Sequence, residues 1–127
     1  MSNVDILDEI NSLLIRRGYS TKREDNSIVL GIIPGGHIGI RITCKNNVLS
    51  AEILVDALEE YLRDVVEEDQ QFDFDEFVDE ILSSIRSILL ELDRIAKNKE
   101  LGLHHNMNQA KRDILDAVEE VKEELLE

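Results

Sequence analysis

The chain has one cysteine, Cys44, too few for a disulfide framework and expected in a reducing cytoplasm. One proline and six glycines in 127 residues exclude collagen-like and low-complexity classes. No apolar run approaches the ~18 residues of a membrane span, and no leader-like segment opens the sequence, so no membrane association is expected. Basic side chains are scarce: 14 Lys and Arg stand against 28 Asp and Glu, a net charge of -14. A general nucleic-acid binder replaces phosphate counterions with its own cations, so direct binding of DNA or RNA is not expected. What is present is 43% hydrophobic residues, enough for a core, and 33% charged residues, above the ~25% typical of soluble domains.

The negative charge is concentrated. Residues 1–49 hold six basic and five acidic side chains, whereas residues 50–80 hold thirteen acids and one base, Arg63. Residues 81–127 hold ten acids and seven bases. From Asp64 to Glu80 there are nine acids and no base. Such density repels itself and opposes compaction. Two readings are open: a solvated face that serves solubility alone, and a binding surface for a strongly basic partner. On the second reading the partner-binding residues are Asp56, Glu59, Glu60, Asp64, Glu67, Glu68, Asp69, Asp73, Asp75, Glu76, Asp79 and Glu80.

Periodicity gives an α+β fold. Ile6, Leu7, Ile10, Leu13 and Leu14 recur at helical spacing over residues 3–17, with Gly18 placed to end the helix. Residues 27–33 are dense in β-branched side chains, and Ile38, Ile40, Ile42 and Cys44 alternate with Gly39, Arg41 and Thr43. Pro34-Gly35-Gly36 supplies turn chemistry between them. These segments predict a small antiparallel sheet of two or three strands, the third drawn from residues 19–23. Ser50 is placed to cap a helix over 51–67, with Ile53, Leu54, Ala57, Leu58, Tyr61, Leu62 and Val65 inward. A further helix is expected from Asp73 as N-cap, with Glu76 three residues on and a Phe72–Phe77 staple. In it, Phe74, Val78, Ile81, Ile85, Ile88, Leu92 and Ile95 follow a strict heptad. Ile114, Val118, Val121 and Leu125 continue that spacing in a last helix over 106–126. The organisation expected is therefore an α+β core with β-hairpin and acidic helix over 1–70, and a long C-terminal helical hairpin or dimerisation arm over 71–127.

No arrangement of residues points to catalysis, and no cofactor is expected. The glycines of Gly31–His37 are followed by a strand rather than the Lys-Ser/Thr and helix of a phosphate loop. His104 and His105 are adjacent, with His37 and Cys44 far off in sequence, which does not make a zinc site. Asp73 and Asp75 open like a calcium loop, but Val78 and Ser84 stand where Gly and an acid are needed. Acids this dense on polar helix faces are solvated rather than poised for acid–base work.

The order helix, short sheet, acidic helix, acidic break, helix resembles the small acidic phage-encoded anti-CRISPR proteins. Those proteins mimic DNA and inhibit the type II RNA-guided nuclease. The resemblance covers residues 3–82. It rests on Asn3-Val-Asp-Ile-Leu-Asp-Glu-Ile10, on Asp25-Asn-Ser-Ile28, and on Glu67-Glu-Asp-Gln-Gln-Phe-Asp-Phe-Asp-Glu-Phe77. It implies a non-enzymatic inhibitor acting in a bacterial host cytoplasm on a basic nucleic-acid-binding protein, such as a CRISPR nuclease. In that family acidic and amide side chains occupy the places of DNA phosphates and bases. The hairpin tip here, Pro34-Gly35-Gly36-His37, carries no acid, and residues 83–127 lie outside the resemblance. The alternative is a helical adaptor that self-associates as a homodimer through its heptads.

Overall fold

A computed structural model describes residues 3–126. The elements run α1 (Asn3–Arg16), β1 (Thr21–Arg23), β2 (Ser27–Ile33), β3 (Ile38–Lys45), β4 (Val48–Val55), α2 (Leu58–Glu68), α3 (Phe74–Asn98), β5 (Gly102–His105) and α4 (Met107–Leu126). The five strands form one mixed sheet in the order β1-β2-β3-β4-β5, antiparallel up to β4 and parallel between β4 and β5.

Helix α1 forms where its periodicity places it, burying Ile6, Leu7, Ile10 and Leu14. It ends on Gly18, whose φ of +91° lets its N–H reach Ile15 O while Tyr19 N–H reaches Leu14 O. That pair of bonds satisfies the last helical carbonyls. Strands β2 and β3 are joined by a single 3-10 turn at Pro34–Gly36, with Gly35 and Gly36 both at positive φ. Side-chain alternation then assigns the two faces. Ile28, Leu30, Ile38, Ile40, Ile42, Leu49, Ala51 and Ile53 share the buried face, while Lys22, Arg41 and Glu52 lie exposed on the other.

The structure corrects the expected fold in three places. The sheet has five strands, not two or three. Residues 51–55, expected as the start of the helix 51–67, belong to β4 (Val48–Val55), so Ser50 lies in a strand and caps nothing. The helix begins only at Leu58, after Ala57 in a left-handed conformation with φ 47°. The physical reason is that Leu49, Ala51 and Ile53 also satisfy a period of two, and a paired neighbour was available in β3. The third correction concerns the C-terminal hairpin. Its connection is a strand, β5, lying parallel to β4. Parallel neighbours require a long crossover, which α2 and α3 provide.

Helix α3 starts as its capping residues dictate. The Asp73 carboxylate accepts from Glu76 N–H at 3.1 Å, and the Phe72 and Phe77 rings lie 5.6 Å apart. Its heptad is spent inside the chain, with Ile81, Ile85, Ile88 and Leu92 buried. On one flank α1 runs antiparallel, tied by Lys99–Glu9 at 2.7 Å and Arg17–Glu91 at 3.3 Å. On the other flank α4 returns with Ile114, Ala117, Val118 and Val121 buried. All of these belong to one continuous apolar cluster, to which Leu58 and Leu62 anchor α2. Full burial of each such leucine contributes roughly 1.5–3 kcal/mol. No helix among the described residues is long and apolar enough to cross a membrane.

Candidate partner-binding surface

Helix α2 is amphipathic over its whole length. Leu58 and Leu62 are fully covered and Tyr61, Val65 and Val66 half-covered, which turns Glu60, Asp64, Glu67 and Glu68 to solvent. Asp69, Asp73, Asp75, Glu76, Asp79 and Glu80 follow, all exposed, along the turn and the first turns of α3. Asp56, before α2, is also exposed, whereas Glu59 is half-buried. Two of these acids have local structural work: Asp69 accepts from Gln71 N–H at 3.0 Å, and Asp73 caps α3. Among the described residues, Asp75 alone of the twelve forms an ion pair, with Lys122 at 3.6 Å.

The single base of the stretch does not dilute this surface. Arg63 donates from Nε to Glu124 Oε2 at 2.8 Å and from Nη2 to Glu124 Oε1 at 2.6 Å, a bidentate bond, with Glu120 at 3.7 Å. The hydrogen bonds to Glu124, then the charges of Glu124, Glu120 and Glu59, push the guanidinium above its ordinary pKa. The same bonds hold the Glu124 carboxyl below the ordinary glutamate range. Arg63 is thus engaged chiefly by acids of α4, with Glu59 of the clustered stretch adding a smaller attraction.

The acids are unevenly suited to their helices. Glu59 and Glu60 in the first turn of α2, and Asp75 and Glu76 in the first turn of α3, sit where the helix dipole favours anions. Glu67 and Glu68 sit at the opposite end of α2, in a last turn without a base. There the dipole and their neighbours both oppose them.

Sequence reasoning missed the apolar half of this surface. Tyr61, Phe72, Phe74 and Phe77 form a chain of ring contacts, with successive centroids 6.2 Å (Tyr61–Phe77), 5.6 Å (Phe77–Phe72) and 5.3 Å (Phe72–Phe74) apart. The His37 ring extends it, 5.7 Å from Tyr61, and its Nδ1 lies 2.9 Å from Asp56 O. Four of the five Phe and Tyr residues of the chain are gathered here. That crowding between positions 61 and 77 was the available signal. Beside Phe72 lies an open cleft of about 520 Å³, with Ile32, Tyr61 and Phe77 along it and Asp73, Glu76 and Glu80 at its rim.

The histidines are dispersed. His104 and His105 lie in β5, where His105 Nδ1 accepts from Met107 N–H at 3.2 Å, and His37 is at the far hairpin. Among the described residues no group of three or more His, Cys, Asp or Glu side chains is arranged to hold a metal ion. Cys44 is buried in β3, and burial raises its thiol pKa, away from the reactive thiolate. Comparison with known protein families, curated proteins and solved structures yields no match.

Proposed function

We propose that this chain is a non-enzymatic acidic binding protein whose α2–α3 surface occupies a basic nucleic-acid-binding protein in place of the nucleic acid. The observation that carries this reading is the uncompensated charge itself. Among the described residues eleven of the twelve acids form no ion pair, Asp75 with Lys122 being the exception, while the one arginine among them is held by Glu124 and Glu120. Duplex DNA presents one charge per ~1.7 Å of axis. Consecutive helical turns place acids ~5.4 Å apart along α2 and along the first turns of α3. A cleft lined by Lys and Arg attracts a surface of this kind with a steered on-rate. Glu67 and Glu68 add support, because they sit where they oppose the α2 dipole and no base offsets them in that turn.

The specific target suggested by the anti-CRISPR resemblance is a type II RNA-guided nuclease, met in a bacterial cytoplasm. The test is DNA cleavage by such nucleases with this protein titrated in. Inhibition that DNA competes away, and that fails when Asp64, Glu67, Glu68 and Asp69 are changed to Lys, is the expected result. Full cleavage at large molar excess across several such nucleases removes that target.

A further inference from the structure

A mimic of phosphates alone needs charge, and does not call for the half-exposed apolar side chains of Ile32, Tyr61 and Phe72 beside the acids. We propose that the cleft beside Phe72 takes a basic segment of the partner that carries a bulky apolar side chain between lysines or arginines. This deepens the reading above, on which it rests, by naming what the partner's basic surface must contain.

Three observations carry it. Ile32, Tyr61 and Phe72 are each only half-buried, so the cleft presents apolar surface beside a larger share of polar lining. Its volume of about 520 Å³ falls within the ~300–1,000 Å³ over which concave protein sites take a ligand. Its rim carries Asp73, Glu76 and Glu80, exposed acids that select a cationic occupant and repel a second copy of this chain at net charge -14. The chain itself displays the chemistry next door. Lys122 Nζ sits 5.7 Å from the centre of the Phe74 ring and 3.6 Å from Asp75, an ammonium held between an aromatic face and a carboxylate. Partly exposed aromatics ringed by polar groups are also the composition of energetic hot spots in protein interfaces.

The experiment uses the full chain and two fluorescent peptides of equal charge. Both are lysine-rich; one has two central leucines and the other has serines in their place. Binding is read by anisotropy at ~0.15 M salt. The leucine peptide is expected to bind at least about tenfold more tightly, the effect of burying apolar side chains. Its amide shift changes should centre on Ile32, Phe72, Phe77 and Ser84. Ser84→Trp, which fills the cleft and removes no charge, should erase the leucine advantage while leaving the serine peptide's affinity unchanged. Glu76→Gln with Glu80→Gln should weaken both peptides, with circular dichroism confirming the fold. Equal affinity for the two peptides, or an advantage that survives Ser84→Trp, overturns the cleft and leaves charge-driven binding standing. Binding of neither peptide overturns both. A dimer in light scattering that Ser84→Trp dissociates gives the cleft to a second copy and overturns the proposal as well.

Discussion

Ile53 is 3% exposed, and both of its backbone polar groups meet one side chain. Its N–H donates to Asn106 Oδ1 at 2.7 Å, and its C=O accepts from Asn106 Nδ2 at 3.0 Å. The side-chain amide of Asn106 thereby extends the β4–β5 ladder by one peptide-like unit, while the backbone carbonyl of Asn106 accepts from Ala110 N–H in the first turn of α4. Asn106→Ala leaves two buried groups unpaired and is expected to lower stability by ~1–3 kcal/mol, measured by urea denaturation. Titration of Glu124 gives a second expectation. Its folded pKa is depressed by Arg63, so its contribution is present above the ordinary value of about 4.5 and is lost as pH falls through the lower folded value. In Arg63→Gln, NMR titration should return the Glu124 midpoint towards the ordinary value, and acid unfolding should lose that share of its pH dependence. Asp73 was legible as a cap because its partner, Glu76, is three residues away. Asn106 was not, because its partner is fifty-three residues away and nothing local marks it.

Among the elements, α1, β2, β3 and the start of α3 could be read because one period dominates each. Residues 48–58 could not. Leu49, Ala51 and Ile53 alternate, yet Ile53, Leu54, Ala57 and Leu58 also fit a helix, and only pairing with β3 decides. The neglected signal was Asn46-Asn47, which take φ of 53° and 62° in a two-residue turn between Lys45 and Val48. Asparagine tolerates that left-handed region, and two such residues in a row mark a tight hairpin. Helix α2 carries its own prediction. Replacing Glu67 and Glu68 by Lys places cations at the favourable end of the dipole and should raise the melting temperature, by ~0.3–1 kcal/mol of stability per site. The same double variant should weaken binding to a basic partner. Gain of stability with loss of binding is the signature of residues kept for interaction, and calorimetry with anisotropy reads both.

For the molecule as a whole, salt should act in opposite directions on folding and on binding. A net charge of -14 repels itself, and the Debye length shrinks from ~30 Å at 0.01 M to ~10 Å at 0.1 M. The melting temperature should therefore rise between those ionic strengths, while affinity for the lysine-rich peptides falls. A melting temperature that drops with salt would mean that attractive surface pairs such as Arg63–Glu124 outweigh the repulsion. At this scale the sequence disclosed the acidic stretch in full, since charge counts need no fold. It did not disclose the aromatic cleft, which arises only when the end of β2 meets α2 and α3.

The parallel placement of β5 beside β4 sets an order of events. The chain from Asp56 to Leu101, with every proposed binding acid in it, is a loop whose two ends are joined by β4–β5 pairing. Synthesis produces all twelve acids before β5, the strand that closes the loop, and before α4, whose Glu120 and Glu124 engage Arg63. The geometry of the α2–α3 surface is therefore expected to depend on β5 and α4 being in place, and a chain with β5 unpaired would expose the same charge without that geometry.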